Sequence, residues 1–210
     1  DLGCGDGYAA RELFRGAGVD EITGVDTNLT EGLAAKFSKQ DGGIRFFTSL
    51  PAGGRPYDLI LLLDVVEHVP DDAAFLSGVV RERLSEDGRV MITVPAFKSL
   101  FSSHDTFLGH YRRYSLGELT ALVKKAGCAP ISSCYLYTTL LLPRFASVCV
   151  EKLARSKKEP AGVGSWVHGR LLTRLVEACL RADNAFSLMA GRLGVKLPGL
   201  TGWVLCEKQR

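Results

Sequence analysis

The amino-terminal heptapeptide Asp1-Leu2-Gly3-Cys4-Gly5-Asp6-Gly7 constrains this chain more than any other stretch. Glycines at alternate positions let the backbone turn sharply and approach a ligand closely, because they lack Cβ atoms. The next residues, Tyr8–Gly16, have a helical pattern, and this helix would point its positive end at the loop. A dinucleotide fingerprint needs a third glycine at position 8, where Tyr8 stands instead. A pyrophosphate at the helix start therefore fits this loop poorly.

An acidic residue follows the next predicted strand. Asp26 ends the short β-branched run Ile22–Val25, one predicted helix and one predicted strand after Gly7. A carboxylate at this position can accept hydrogen bonds from two ribose hydroxyls. A generic strand–turn–helix is the alternative interpretation, since a glycine loop alone is weak evidence for a nucleotide site.

Short apolar runs alternate with helical patterns from Asp1 to Pro130, which predicts a parallel, doubly wound α/β sheet. Such sheets bind ligands at the carboxyl ends of their strands. The predicted strands are Ile22–Val25, Ile44–Thr48, Tyr57–Leu63, Arg89–Val94, Ile131–Tyr137 and Trp203–Glu207. The predicted helices are Tyr8–Gly16, Leu29–Phe37, Asp71–Leu84 and Ser115–Lys125.

Length and composition favour one globular domain over residues 1–210. The 210 residues are 46% hydrophobic and 23% charged, which excludes a disordered or fibrous chain. No apolar run is long enough to span a bilayer, and no secretory signal is visible. Six scattered cysteines favour reduced thiols and a cytoplasmic location. Because the chain begins at Asp1 and not at Met, we expect it to be truncated at its N-terminus.

Four segments resemble the motifs of one enzyme family. Asp1–Gly7 looks like motif I of the class I S-adenosylmethionine-dependent methyltransferases, and Gly24–Asp26 resembles their ribose-binding strand end. Tyr57–Pro70 and Gly88–Pro95 resemble their fourth-strand motif and fifth strand. The resemblance implies a Rossmann-like sheet of seven strands in the order 3-2-1-4-5-7-6, with strand 7 antiparallel. It also implies S-adenosyl-L-methionine as the cofactor.

The resemblance assigns the cofactor contacts by position. Asp1 and the glycine loop would face the methionine end, Asp26 the ribose, and the stretch around Ser49 the adenine. Many relatives have an aspartate where this chain has Ser49. The predicted cofactor-binding residues are Asp1, Gly3, Cys4, Gly5, Gly7, Asp26, Thr27, Ser49, Asp64 and Val65.

Candidate acceptor-site residues follow the fourth and fifth strands of that fold. Methyl transfer needs an aligned nucleophile, and a hydroxyl nucleophile also needs a base or a metal. The candidate catalytic side chains are Glu67, His68, His104 and His110, and the candidate substrate-binding side chains are Tyr111, Arg112 and Arg113. The alternative is structural: the acids and histidines would tie down loops, and the arginines would pair with surface acids.

A metal-dependent RNA 2′-O-methyltransferase is a second interpretation. Those enzymes hold a divalent ion with carboxylate and imidazole ligands, and Asp64, Glu67, His68 and His110 are the matching residue types here. Residues 1–139 contain more acidic than basic side chains and no basic–aromatic track, which disfavours nucleic acid. We therefore predict no metal. A non-catalytic cofactor-binding module is a third interpretation.

A helical insertion is predicted at about residues 138–200. Basic side chains clearly outnumber acidic ones over residues 140–210, so this part of the chain is basic. Segment 138–160 is both apolar and basic, a pattern that suits peripheral contact with anionic lipid or an apolar, anionic substrate. Packing on the body or on a second copy is the equal alternative. For the chain as a whole, we predict O-methylation of a small-molecule, glycan or lipid-linked acceptor.

Overall fold

Six strands form the sheet of the protein, in a computed structural model that describes residues 1–154 and 169–209. Within these ranges the strands are β1 (Ile22–Val25), β2 (Ile44–Phe47), β3 (Tyr57–Leu63), β4 (Leu84–Pro95), β5 (Cys128–Leu136) and β6 (Thr201–Lys208). β1 pairs with β2, and the other four follow the order β3-β4-β6-β5. β6 runs antiparallel to both of its neighbours, whereas the β1–β2 and β3–β4 pairs are parallel.

One residue joins the two groups of strands. Leu2 forms parallel bridges with Val25 at the end of β1 and with Leu62 in β3. Leu2 lies at the place of strand 1 in the predicted order, as a bridging residue only. The described residues form six strands, so the predicted order of seven is not confirmed. The predicted antiparallel last strand is present as β6.

Seven helices cover the described sheet. They are α1 (Tyr8–Phe14), α2 (Glu31–Asp41), α3 (Asp72–Arg83), α4 (Ser103–Phe107), α5 (Leu116–Lys125), α6 (Leu141–Ala154) and α7 (Arg170–Arg192). The predicted cap of α5 is seen, since Ser115 Oγ accepts from Glu118 N and Glu118 Oε2 accepts from Ser115 N. α1 ends slightly earlier than predicted, and α2 begins slightly later.

β4 begins before the predicted turn. Asp87 and Gly88 lie inside the strand, at a register shift where Tyr57 pairs with Leu84 but Leu59 pairs with Arg89. Extra residues on one strand of a pair form a bulge, which a turn-forming dipeptide accommodates. The Asp–Gly pair therefore marks an irregular start of the strand and not a loop before it.

The core lies mainly around β3, β4 and β6. Ile60, Leu61 and Leu62 are buried at consecutive positions, which requires cover on both faces of the sheet. Val90, Ile92, Val94 and Val204 continue this core, and α3 and α5 supply Leu76, Leu119 and Val123. A smaller cluster around Phe46 lies under α1 and α2. The sheet edge that carries the candidate site is thereby held on a rigid support.

The α6–α7 segment lies between β5 and β6. α7 contacts β5 and the turn after it through polar and small residues, since Asp183 Oδ2 accepts from Thr139 N and Asn184 Oδ1 from Tyr137 N. Leu171 is 86% exposed and Leu175 59%, so an apolar face of α7 points outward. None of the described helices is both long and apolar enough to cross a membrane. The basic residues Arg155, Lys157 and Lys158 lie outside the described residues.

The glycine loop is packed tightly at two of its glycines. Gly3 and Gly7 have φ angles of 78° and 80°, in the left-handed region that side chains rarely adopt. A Cβ atom on Gly7 would lie 2.6 Å from Phe46 Cζ, and one on Gly3 would lie 2.5 Å from Val65 Cγ2. The loop therefore needs glycine for both backbone conformation and close packing.

We expect Gly7→Ala to lower the free energy of unfolding by more than the roughly 1–2 kcal/mol that a left-handed backbone costs a non-glycine residue. The extra loss arises because the new methyl group collides with Phe46. Gly16→Ala is the matched control, since Gly16 has a φ of 73° but open space around it. Urea unfolding of both variants checks this, and equal losses would contradict the packing argument.

Candidate active site

The candidate cofactor residues meet at the carboxyl edge of the sheet. Gly3 N donates to Val25 O at 2.7 Å, and Asp26 N donates to Phe47 O at 3.1 Å, so the glycine loop and the ends of β1 and β2 are neighbours. Asp64 N donates to Thr93 O at 3.1 Å in the same way beside β4. The backbone ladder thus places these segments side by side.

Asp26 organises the glycine loop. Its Oδ2 accepts from Gly5 N at 2.9 Å, and its Oδ1 accepts from Asn28 N at 2.8 Å. Each carboxylate oxygen retains acceptor capacity, so Asp26 can also receive ribose hydroxyls. Asp1 Oδ2 is buried and has no hydrogen-bond partner among the described residues. An unpaired buried carboxylate oxygen fits a ligand with a positive charge or a donor, such as the sulfonium and ammonium of S-adenosylmethionine.

The other predicted cofactor residues lie around the same edge. Cys4 is buried beneath the loop, where its Sγ is the atom that a Cβ on Gly24 would meet at 2.9 Å. Thr27 and Ser49 are exposed after β1 and β2. Val65 contacts the loop at Gly3, as described above. The structure therefore brings this predicted set together, while its contacts with a cofactor stay predictions.

Asp64 has an unusual backbone conformation. Its φ is 54°, which non-glycine residues seldom adopt, and its Oδ1 accepts from Thr93 Oγ1 at 3.0 Å. Strained residues held by their neighbours concentrate at functional sites. The turn after β3 is thus fixed by β4 before the short 3₁₀ helix Val66–His68 begins.

A buried carboxylate organises the loop after β4. Asp105 Oδ1 accepts from Arg113 Nε at 2.7 Å and lies 3.1 Å from His110 Nδ1. Its Oδ2 accepts from Ser102 N at 3.0 Å and lies 3.4 Å from Arg144 Nη2. Burial alone would raise the pKa of Asp105, but Arg113, His110 and the Ser102 amide hold that pKa below its ordinary value. Asp105 is therefore a carboxylate, which stabilises Nδ1 of His110 as the donor and leaves Nε2 as the basic nitrogen.

Glu67 has the opposite environment. Its side chain is fully buried, and neither carboxyl oxygen has a hydrogen-bond partner among the described residues. Burial and then the neighbouring charge of Asp64 raise the pKa of Glu67 to about 8. At neutral pH and with no cation beside it, Glu67 is mostly a neutral acid.

Two histidines lie next to Glu67. The rings of His68 and His110 meet edge to face with their centroids 4.6 Å apart, and Tyr111 N donates to Glu67 O at 2.8 Å, which ties the two loops together. Glu67, His68 and His110 each offer one ligand atom, and these atoms all lie within 4.8 Å of one another. Burial and the nearby His110 lower the pKa of His68. This cluster can accept and donate protons, and its donor set also suits a divalent cation.

A cavity of about 330 Å³ opens beside this cluster. Its walls include Asp64, Glu67, His68 and His110, together with the guanidinium-bearing residues Arg113 and Arg144. Residues from the turn after β3, the loop after β4 and helix α6 thus enclose one space. A cavity of this size is at the small end of the range for ligand sites.

The remaining predicted residues lie outside the cluster or are already paired. Arg112 Nη1 forms an ion pair with Asp72 at 2.8 Å, and Arg113 is buried against Asp105 and Ala96 O. Tyr111 is 58% exposed, and His104 is absent from the cavity wall. Burial and then Arg144 lower the pKa of His104. The ion pair of Arg112 is of the kind that the structural alternative expects, whereas Arg113 pairs with a fully buried acid. A clamp role for either stays a prediction.

Two residues of the site were missed by the sequence analysis. Asp105 could have been recognised, because the Ser102–Asp105 spacing is that of a capping box, which the structure contains. Arg144 lies in an otherwise apolar stretch. No local pattern could have identified it, because its position at the cavity depends on how α6 folds back over residues 99–105.

Comparisons with known proteins identify the family of the chain. A family model described as a methyltransferase domain matches residues 1–133. A ubiquinone biosynthesis O-methyltransferase of Methylobacterium sp. (strain 4-46) is 35% identical over 83 residues, which are 36% of this chain and 32% of that protein. A probable S-adenosylmethionine-dependent methyltransferase of Mycobacterium tuberculosis is 24% identical over 139 residues, 65% of this chain and 50% of the relative.

A solved structure shows the same fold. The crystal structure of a putative sarcosine dimethylglycine methyltransferase from Galdieria sulphuraria superposes with a TM-score of 0.59 at 21% identity, covering 100% of this chain and 77% of that one. The curated relatives are longer than the matched region, since this chain spans about a third of one and half of the other. The family model covers more than half of the chain, and on this evidence the chain belongs to the methyltransferase-domain family.

Proposed function

We propose that the chain transfers the methyl group of S-adenosylmethionine to a hydroxyl oxygen of a small-molecule, glycan or lipid-linked acceptor. The observation that carries this proposal is the Asp105–His110 pair at the cavity wall. An imidazole oriented by a carboxylate is a suitable base for a hydroxyl, which must lose its proton as the methyl group arrives. The ubiquinone biosynthesis O-methyltransferase relative supports the choice of oxygen as the accepting atom.

The residues present fit the proposed cofactor. Asp26 would accept the ribose hydroxyls, the glycine loop would allow close approach, and Asp1 would face the positive end of the methionine portion. The bound cofactor supplies an activated methyl group, so the protein itself needs no nucleophile. Its own residues hold the acceptor in line, exclude water and remove one proton, which His110 Nε2 can accept.

Incubation with S-adenosylmethionine labelled in its methyl group tests the proposal directly. Label should move to an acceptor in a panel of phenols, glycans and lipid extracts, and mass spectrometry then identifies the methylated atom. Binding of the cofactor without transfer to any acceptor would favour the non-catalytic alternative. Transfer to nitrogen only would contradict the proposed oxygen chemistry.

We expect Asp26→Ala to weaken the binding of S-adenosylhomocysteine by at least tenfold, since a hydrogen bond to a charged group contributes about 1.5–3 kcal/mol. The loss includes a loosened loop, because Gly5 N also donates to Asp26. Isothermal titration calorimetry measures the change. Asp20→Ala, an exposed acid-to-alanine change outside the loop, is the matched control. Unchanged affinity in Asp26→Ala, or binding of NAD in place of the sulfonium compound, would refute the cofactor assignment.

We expect His110→Ala to lower kcat by about 10²–10⁴-fold while the affinity for S-adenosylhomocysteine stays unchanged, because only the proton transfer is lost. Asp105→Asn should also lower kcat, because the amide no longer favours the tautomer of His110 in which Nε2 is the basic nitrogen. His104→Ala should lower kcat less, because His104 does not line the cavity. Thr106→Ala in the same loop is the control for mere loop disturbance. Full activity of His110→Ala would remove this residue from the mechanism.

A metal-assisted form of the same transfer is a second candidate, favoured by one observation. Glu67, His68 and His110 converge, and the buried oxygens of Glu67 lack partners in the described structure. These three residues would hold the ion, whereas Asp64, the fourth residue type suggested by the sequence, is not part of the converging set. A bound divalent cation would lower the pKa of an acceptor hydroxyl, so that no general base is required.

If the ion binds, its affinity should rise with pH up to about pH 8. The pKa of Glu67 is raised to about 8, so below that pH the cation must displace a proton from Glu67 and loses about tenfold in affinity per unit. Calorimetric titration with Mn²⁺ between pH 6 and pH 8 measures this, with Glu67→Gln as the variant that should not bind. Turnover that survives a chelator, together with absent Mn²⁺ binding, would leave the general-base form alone.

A further inference from the structure

Helix α6 contributes one charged side chain to the cavity beside the histidines. Arg144 lies in the first turn of α6, and its Nη2 donates to Ser102 Oγ at 2.7 Å and approaches Asp105 Oδ2 at 3.4 Å. Its other guanidinium nitrogens have no hydrogen-bond partner among the residues that the structure describes. Arg144 is thus anchored at one nitrogen, with its remaining donors available at the cavity wall.

Arg144 shares its nearest carboxylate with a second guanidinium group. The single carboxylate of Asp105 faces two guanidinium groups, and Arg113 Nε, at 2.7 Å, is the closer. Glu151 is a second carboxylate near Arg144, but its Oε1 accepts from Ser103 N at 2.9 Å. Asp64 accepts from Thr93 and lies beside the segments assigned to the positively charged cofactor. Arg144 therefore has no carboxylate to itself at the cavity wall.

The energetics of Arg144 point the same way. Burial and then the charge of Arg113 lower the pKa of Arg144, so its guanidinium is less stable here than in water. An anion bound beside it would relieve both effects. Guanidinium groups also match carboxylates and phosphates geometrically, through parallel hydrogen bonds from two nitrogens.

We propose that Arg144 binds an anionic group of the acceptor, a carboxylate or a phosphate, and so selects acid substrates for methylation. This inference rests on the proposed function and specifies its substrate class. Arg144 and His110 both line the cavity of about 330 Å³, so an anion on Arg144 would share one small space with His110. The acceptor is therefore a small acid, or the acidic end of a larger molecule, with its hydroxyl group a short distance from the charge.

Binding of inorganic phosphate and of benzoate to the chain loaded with S-adenosylhomocysteine tests this without knowledge of the acceptor. Calorimetry should show that at least one of the two binds, and Arg144→Gln should weaken that binding about tenfold or more. Lys152→Gln is the matched control, because Lys152 lies on the same helix, loses the same charge and does not line the cavity. The probe that binds more tightly identifies the anion chemistry.

Arg144→Lys guards against a folding defect in the glutamine variant. Lysine keeps the charge without the paired donors, so it should retain part of the affinity, and its thermal unfolding should match that of the original chain. Absence of binding by both probes, or equal losses in Arg144→Gln and Lys152→Gln, would overturn the inference. These measurements need no turnover and can be repeated without cofactor. Failure of the cofactor to bind would therefore count against the proposed function alone.

Discussion

The carboxylate of Asp105 holds the acceptor side of this protein together. It is fully buried and contacts four groups, the amide of Ser102, the imidazole of His110 and the guanidinium groups of Arg113 and Arg144. An unpaired charge at this position would cost several kcal/mol, so the loop after β4 is stable only in the conformation that provides these partners. The orientation of His110 follows from that requirement.

Two buried carboxyl groups of the site have opposite protonation states. Asp105 has cationic and amide partners that stabilise its charge, whereas Glu67 has burial and the nearby Asp64, which destabilise its charge. Both side chains have no exposed surface, but only Asp105 has partners that stabilise its charge. A charged acid that orients an imidazole and a neutral acid beside that imidazole form an asymmetric environment suited to controlled proton transfer.

The sequence predicted the cofactor side better than the acceptor side. The glycine loop, Asp26 and the turn after β3 each follow the carboxyl end of a strand. Their proximity could therefore be inferred from the order of the strands alone. The partners of Arg112 and Arg113 could not be inferred in this way. Their pairing with Asp72 and Asp105 depends on the tertiary path of the loop. The outward apolar face of α7, with Leu171 and Leu175, shows the same limit of sequence analysis. Periodicity identifies an apolar face but does not show whether another element covers it.

The approach of α6 to the loop after β4 has a consequence for how specificity is encoded. Glu151 accepts from Ser103 N and Lys152 donates to Ser99 O, so the helix contacts this loop at several points besides Arg144. The family model ends at residue 133, before α6 begins. The segments assigned to the cofactor and the cavity wall formed by Arg144 thus come from separate stretches of chain. On the proposed function, substitutions in α6 would alter the acceptor wall and leave the cofactor segments unchanged.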